Sequence, residues 1–301
     1  MAAVVLLIAA GVAAYLFMFH SSTPPARSSQ APQPASTSPA PLAPFPGQVV
    51  LPFTDLSGPS AVAVDDAGAV YVVHGTGNLF PPHRGGRILK LDPGADQAIG
   101  LPFTDLHPDW LTVDAAGSLY FSDSAASGVL KLVAGSSTPD KVLADLDVPR
   151  GVAVDSAGNL YVAGGGLNSR VLKQAAGSSS PVELPFIGLR NPTGVAVDGS
   201  GAVYVADGGN NRVLKLSTSG MVELPIADLK NPEGVALDSA GSLYVVDGGN
   251  NRVLKLAAGA PAATALPFIG LDRPAGVAVD SAGNVYVTDA GNNRILKLPA
   301  R

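Results

Sequence analysis

One short pattern recurs six times along this chain of 301 residues. Its clearest copy reads GVAVDSAGNLYV and occupies residues 151–162. The other five copies begin at Ala61, Trp110, Gly194, Gly234 and Gly276. Successive copies lie about 40 to 50 residues apart, which is enough chain for four short strands and the turns between them. The sequence therefore predicts an all-β fold, a six-bladed β-propeller.

The first part of the chain differs in kind from the repeats. Residues 2–19 carry no charged side chain, and as a helix they would extend about 27 Å, close to the roughly 30 Å of a bilayer core. A basic start and a clear cleavage site, which are typical of signal peptides, are missing. Residues 1–19 are therefore predicted to form a transmembrane anchor. Because the apolar stretch begins at residue 2, the alternative that further residues precede it in a longer protein stays open.

Residues 20–47 are rich in Pro, Ser and Thr. This composition cannot bury a core and favours an extended, polyproline-like linker, either bare or O-glycosylated. The propeller is assigned to residues 48–301. We expect a single-pass protein of the cell membrane whose propeller is extracytoplasmic.

Charge and cysteine content exclude several classes of function. The net charge is −5, and basic residues are spread through the repeats without forming a stripe that would bind a phosphate backbone. Nucleic acid is therefore not an expected partner. The absence of cysteine excludes disulfides, zinc–thiolate sites and thiol nucleophiles.

Each repeat carries polar residues whose spacing indicates a structural role. All six copies contain Asp-x-x-Gly, which is typical of a hairpin turn. Three copies place Asp and Arg five residues apart, and we expect a bidentate ion pair in each: Asp207 with Arg212, Asp247 with Arg252, and Asp289 with Arg294. One lysine recurs at a fixed strand position, which predicts a solvated stripe that protects blade edges: Lys90, Lys131, Lys173, Lys215, Lys255 and Lys297.

The two ends of the propeller sequence predict how the ring closes. Residues 49–53, VVLPF, match the outer strand that precedes the other repeats, whereas RILKL at residues 294–298 has no outer strand after it. The first strand is therefore expected to complete the last blade and to remove an exposed edge.

The motifs Pro-x-Gly-Val-Ala-Val-Asp, Gly-Asn-Leu-Tyr-Val-x-Asp and Asn-Asn-Arg-Val resemble the repeats of the NHL family. Together with the anchor and the Pro-rich linker, they are similar to the extracytoplasmic sensor half of mycobacterial receptor Ser/Thr kinases. The resemblance implies recognition of a ligand or a protein. The Gly-rich loop, His-Arg-Asp and Asp-Phe-Gly motifs of a kinase do not occur in this sequence, so we expect no catalysis and no cofactor.

Positions at which the repeat departs from itself predict the binding face. The residue that follows the entry proline varies from blade to blade: Ser60, Asp109, Arg150, Thr193, Glu233 and Ala275. Blade 1 adds an insertion at residues 75–86, and blade 2 has Trp110 where four of the other five repeats have Gly. We expect one pocket on this face, lined by Phe80, His83, Arg84, His107, Asp109 and Trp110, and bordered by Arg150, Thr193 and Glu233.

Two further functions remain open at the level of sequence. His74, His83 and His107 could hold zinc in a lactonase- or lyase-like propeller enzyme, although their spacing matches no metal motif and no metal is predicted. Alternatively, the propeller could serve as a structural scaffold of the cell envelope.

Overall fold

The computed structural model describes residues 47–75, 86–103, 106–164 and 168–300. These residues form 24 strands in six antiparallel four-stranded sheets. The innermost strand of each sheet contacts the innermost strands of two other sheets, so the six sheets close into a ring. The predicted six-bladed β-propeller is confirmed.

Each blade runs from the propeller axis outward in chain order. Blade 1 consists of β2 (Ala61–Val64), β3 (Val70–His74), β4 (Arg87–Leu91) and β5 (Ile99–Gly100). Blade 2 consists of β6 (Pro108–Val113), β7 (Leu119–Asp123), β8 (Gly128–Leu132) and β9 (Asp140–Leu143). Blade 3 consists of β10 (Pro149–Val154), β11 (Leu160–Gly164), β12 (Arg170–Gln174) and β13 (Val182–Glu183). Blade 4 consists of β14 (Pro192–Val197), β15 (Val203–Asp207), β16 (Arg212–Ser217) and β17 (Gly220–Glu223). Blade 5 consists of β18 (Pro232–Leu237), β19 (Leu243–Asp247), β20 (Arg252–Leu256) and β21 (Thr264–Ala265). Blade 6 consists of β22 (Pro274–Val279), β23 (Val285–Asp289), β24 (Arg294–Leu298) and β1 (Val49–Val50).

The predicted anchor, residues 1–19, and residues 20–46 of the predicted linker lie outside the described residues. Within the described ranges, no helix is both long enough and apolar enough to cross a membrane.

The strand β1 closes the ring. Val49 pairs with Lys297 and Val50 with Leu296 in antiparallel register, and the amide of Leu51 donates to the carbonyl of Ile295 at 2.9 Å. The start of the propeller thus supplies the outer strand of blade 6. The predicted clasp between the two ends of the domain is confirmed.

Six apolar clusters hold the blades together, one between each pair of neighbours. The second strand of a blade packs on both of its faces, and every residue of Leu243–Asp247 is buried. A strand without a solvent face has no need of polar alternation. This explains the continuous apolar runs such as LYVV in the repeats.

The inner strands approach one another closely where the repeat begins with glycine. A Cβ built on Gly234 would lie 2.6 Å from the carbonyl oxygen of Ala275, and one on Gly276 would lie 2.8 Å from the Cα of Ala61. Gly194 lies equally tightly against the backbone of the next blade, with 2.9 Å from a built Cβ to the amide nitrogen of Val235. These glycines therefore permit the backbone contact between blades.

The Asp-x-x-Gly segments form the predicted hairpin turns. In blade 5, the amide of Gly241 donates to the Asp238 carbonyl at 2.9 Å, and the amide of Ser242 donates to Asp238 Oδ1 at 2.8 Å. The Tyr244 hydroxyl donates to Asp238 Oδ2 at 3.0 Å. All six aspartates form this turn, and five of them also accept a tyrosine hydroxyl: Asp65, Asp155, Asp198, Asp238 and Asp280.

The lysine prediction is wrong. The lysines lie on the third strand of each blade, which the outer strand covers, and so they do not protect an edge. Lys255 Nζ lies 4.8 Å from the centre of the Tyr244 ring and 3.3 Å from Asp238 Oδ2. The other five lysines lie over the corresponding tyrosine at 4.7 to 5.9 Å. Cation–π attraction explains this repeated position.

The Asp–Arg pairs form, but not in the predicted bidentate geometry. Arg252 Nε donates to Asp247 Oδ2 at 2.6 Å, while its terminal Nη2 donates to the carbonyl of Asp228 at 3.1 Å. Asp247 Oδ1 accepts the amide of Lys230 at 2.8 Å. The buried carboxylate thus organises the turn together with backbone groups, and the pairs in blades 4 and 6 share this arrangement.

Asparagine side chains link successive blades at the rim. Asn211 adopts a left-handed conformation, with φ of 55°, which asparagine tolerates better than most residues. Its Oδ1 accepts the amide of Asn231 in the segment that enters blade 5, at 2.7 Å. Asn251 and Asn293 bind the amides of Arg273 and Gly58 at 2.8 Å in the same way.

We expect Gly194→Ala to destabilise the propeller by about 1 to 3 kcal/mol, because the new methyl group overlaps the backbone of blade 5. Gly199 provides the matched control. It lies in a hairpin turn with no atom within 4 Å of a built Cβ, and Gly199→Ala should change stability by less than about 1 kcal/mol. Denaturant unfolding of both variants tests this, and equal losses would contradict the steric explanation.

Candidate functional site

A narrow channel runs along the propeller axis. It encloses about 270 Å³ and is lined mainly by the Val, Ala and Leu side chains of the six inner strands, together with Trp110 and Thr112. The residues that follow the entry prolines lie at the end where the inner strands begin. We call this end, defined by Ser60, Asp109, Arg150, Thr193, Glu233 and Ala275, the channel mouth.

The structure brings six of the predicted site residues to this region. His107 lies just before β6, and the other five lie on the first residues of inner strands: Asp109, Trp110, Arg150, Thr193 and Glu233. Phe80, His83 and Arg84 lie outside the described residues. Their predicted contribution to the pocket stays a prediction.

A β-bulge at the start of the inner strands positions the variable residues. In blade 3 the pairing with β11 shifts by one residue between Pro149 and Val152, and corresponding shifts occur in blades 2, 4, 5 and 6. The extra residue of a bulge leaves the regular ladder and redirects its side chain. Arg150 lies within this shift.

Two of the variable residues bind neighbouring blades. The Ser60 hydroxyl donates to the carbonyl of Asp109 at 2.9 Å. Thr193, only 5% exposed, places its hydroxyl 3.0 Å from the carbonyl of Pro232 and 3.1 Å from that of Glu233. Thr193 thus contacts blade 5 rather than open solvent, and Ala275 is also buried.

The remaining three variable residues are charged. Burial raises the pKa of Asp109, while a hydrogen bond from Ser124 and the charge of Arg150 oppose that rise. Burial also raises the pKa of Glu233, against a hydrogen bond from Asn231 at 2.8 Å and the charge of Arg150. One arginine therefore interacts electrostatically with carboxylates from blades 2 and 5.

Ser124 and Asn231 were not among the predicted site residues. Ser124 replaces the glycine that follows the strand-ending aspartate in blades 4 and 5, and this departure from the repeat could have identified it as a site residue. Asn231 belongs to an Asn-Pro pair that also occurs at residue 191, so the sequence does not distinguish it.

Trp110 both packs and lines the channel. It contacts the apolar cluster between blades 1 and 2 and the cluster between blades 2 and 3. Its amide donates to Ser122 Oγ at 3.1 Å, and its indole borders the channel cavity while staying half-buried. Trp110 thus replaces the close glycine contact of other blades with side-chain packing.

Blades 1, 2 and 3 lack the Asp–Arg pair. Blade 3 has Gly164 and blade 1 has His74 at the position of the aspartate. Burial, together with the charge of Arg87, lowers the pKa of His74. In blade 2, Asp123 accepts the amides of His107 and Ala126, both at 2.7 Å. Gly128 replaces the arginine because a Cβ there would meet the Leu143 carbonyl oxygen.

Among the described residues, no group of three or more His, Cys, Asp or Glu is arranged to hold a metal. His83 of the zinc hypothesis lies outside them.

Comparison with known families agrees with the repeat pattern. The NHL repeat family matches residues 189–216, 229–256 and 271–298, and a family described as a beta-propeller repeat matches residues 143–166. Blades 4, 5 and 6 of this propeller therefore contain NHL repeats. The matched segments end close to the third strands of blades 4, 5 and 6, so each contains the three inner strands of one blade.

Two curated relatives are the serine/threonine-protein kinase PknD of Mycobacterium tuberculosis, from strains CDC 1551 and H37Rv. Each is 44% identical over 89 residues, which is 27% of this chain and only 13% of the kinase. Among solved structures, a virginiamycin B lyase from Staphylococcus aureus has a TM-score of 0.60 at 18% identity, covering 84% of this chain and 85% of the lyase. A nidogen/laminin complex has a TM-score of 0.62 at 18% identity, covering 73% and 84%. These structural similarities support the propeller fold alone.

We expect the double variant Asp109→Asn/Glu233→Gln to unfold at a higher temperature than the parent NHL propeller at pH 7, by the equivalent of about 0.5 to 2 kcal/mol. A raised carboxyl pKa contributes stability below the unfolded pKa, and this contribution is lost as pH rises through the folded pKa. The difference between variant and parent should therefore shrink at pH 4.

The control is Asp140→Asn/Glu183→Gln, which changes two exposed carboxylates on outer strands. Thermal melts of the three proteins at both pH values provide the measurement. A mouth variant that is less stable than the parent at pH 7 would show that these carboxylates support the fold.

Proposed function

We propose that this chain is a membrane-anchored NHL propeller that recognises an extracytoplasmic ligand or protein at its channel mouth and catalyses no reaction. The observation that carries the proposal is the set of charged side chains at the mouth. Equivalent positions of the repeated scaffold hold side chains of opposite charge: Asp109, Arg150 and Glu233. The charge of Arg150 affects the pKa of both carboxylates. Such a local break in a regular fold favours recognition.

The comparison with PknD supports a sensor-like role. Its similarity to this chain covers 89 residues, and the chain as a whole adds an apolar segment and a Pro-rich linker before the propeller. An anchor followed by an extended linker would hold a recognition domain away from a membrane. Since the match covers only 13% of the kinase, we propose ligand recognition, and not kinase activity, for this chain.

The proposed anchor predicts where the chain will be found. The full chain with a C-terminal epitope, expressed in a mycobacterial host, should fractionate with membranes and retain its N-terminus. Protease added outside spheroplasts should digest the propeller. A soluble form that begins near Ser21 would show that the apolar segment is a cleaved export signal.

The proposed binding face predicts which substitutions abolish recognition. The full chain in detergent is immobilised and exposed to conditioned culture filtrate of the same host, and retained compounds are identified by mass spectrometry. Arg150→Ala and Glu233→Ala should each lose at least one retained compound, because truncation of a central contact often costs 1 to 4 kcal/mol of binding, a loss of about 5- to 1,000-fold.

Arg170→Ala and Glu183→Ala are the matched controls, because these two residues form a loose pair at 3.9 Å on the outer strands of blade 3. They should retain the full set of compounds. Equal retention by the mouth variants would place recognition elsewhere. Chemical conversion of a retained compound would support a lyase-like enzyme instead.

A further inference from the structure

Arg150 is unlike the arginines that close the blade turns. Arg212, Arg252 and Arg294 each donate Nε to a buried aspartate at 2.6 to 2.8 Å. The Nε of Arg150 is also buried, but it has no hydrogen-bond partner among the described residues. A buried donor without an acceptor costs free energy. This cost is offset when a ligand supplies the acceptor.

The carboxylates nearby do not fill this position. Asp109 and Glu233 both sense the charge of Arg150, yet in the described part of the chain neither forms an ion pair with it. Glu233 already accepts a hydrogen bond from Asn231 at 2.8 Å, and Ser124 lowers the pKa of Asp109 against the effect of burial. Within the described part of the chain, Arg150 Nε therefore remains a buried donor without an acceptor.

The surroundings of Arg150 strengthen its attraction for an anion. The apolar channel wall begins two residues further along the same strand, at Val152, and also includes Val195 and Val235. A charge beside such a wall is screened less than in open water. A guanidinium stays protonated in proteins and offers a planar pair of donors that fits carboxylate and phosphate oxygens.

We propose that Arg150 is the anion-binding residue of the channel mouth and takes a small oxyanionic group, a carboxylate, phosphate or sulfate. This inference rests on the proposed recognition function and names the chemistry of its ligand. Asp109 and Glu233 then disfavour any anion that does not also carry a hydrogen-bond donor for these two carboxylates. His107 and Asp123 are the other charged or titratable groups near Asp109.

Trp110 provides a direct probe of this site. It is the only tryptophan of the chain, and it lines the cavity that the inner strands enclose. Its fluorescence can be quenched by iodide, by caesium and by neutral acrylamide. In the full chain at low ionic strength, Arg150→Gln should lower the iodide quenching constant by about twofold, because the substitution removes a positive charge from the channel mouth.

The other quenchers separate charge from access. Acrylamide quenching should be the same in the parent and in Arg150→Gln, and caesium quenching should rise in the variant. Arg170→Gln removes a charge from the outer rim and should leave all three constants unchanged. Equal iodide quenching in the parent and in Arg150→Gln, with unchanged acrylamide quenching, would overturn the proposal.

Arg150→Lys tests the geometry of binding. It keeps the charge and should keep iodide quenching, but it should lose the protection of Trp110 that inorganic phosphate, sulfate or acetate gives the parent relative to chloride. The anion that protects best identifies the oxyanion class. Absence of protection by all three anions in the parent would also overturn the proposal. If Arg150→Gln does not fold, Arg150→Lys carries this test alone.

The two proposals fail in different ways. Protection of Trp110 by an oxyanion through Arg150, combined with equal retention of culture compounds by the mouth variants, would keep the anion site and refute the proposed recognition function. Loss of retained compounds in Glu233→Ala, without any oxyanion protection, would keep recognition at the mouth and refute the anion site.

Discussion

Contact between neighbouring inner strands sets the geometry of the whole propeller. At Gly151, Gly194, Gly234 and Gly276 the next blade's backbone occupies the space of a side chain. This contact draws the blades together, leaves a narrow apolar channel and buries both faces of the second strands. Polar chemistry on the axis is then restricted to the channel mouth, where the bulged residue leaves the strand ladder.

At the mouth, one repeat position holds side chains of two kinds, those that bind the next blade and those that we propose for recognition. Ser60 and Thr193 reach carbonyl groups of the next blade, so their hydroxyl groups stabilise the ring. Asp109, Arg150 and Glu233 occupy the same repeat position, but their side chains make no such link between blades through the described hydrogen bonds. Burial of the two carboxylates raises their pKa, which means that their charged forms cost stability at neutral pH. Residues that weaken the fold at equivalent positions are typical of functional sites.

Sequence alone predicted the architecture because each repeat carries its own signals. The hairpin turns follow from Asp-x-x-Gly, and the clasp follows from an outer strand missing after Leu298. The environment of the lysines could not be predicted in this way, because it depends on an outer strand as short as Val182–Glu183 and on a tyrosine of the neighbouring strand. A variable position in the sequence also does not reveal whether its side chain is buried. Thr193 and Glu233 occupy the same position of the bulge, but their side chains reach different distances.

The arginines of this propeller place the same chemistry in two different settings. At the rim, Arg252 lies between a buried carboxylate and a backbone carbonyl, and its hydrogen bonds are made within the chain. At the mouth, the charge of Arg150 lowers the pKa of carboxylates from blades 2 and 5 against the effect of burial, and among the described residues it forms no ion pair with either of them. A pair within hydrogen-bond distance is satisfied and selects nothing, whereas a fixed charge with a buried free donor discriminates among ligands. The distance between the charges, rather than their number, therefore distinguishes the proposed binding face from the rim.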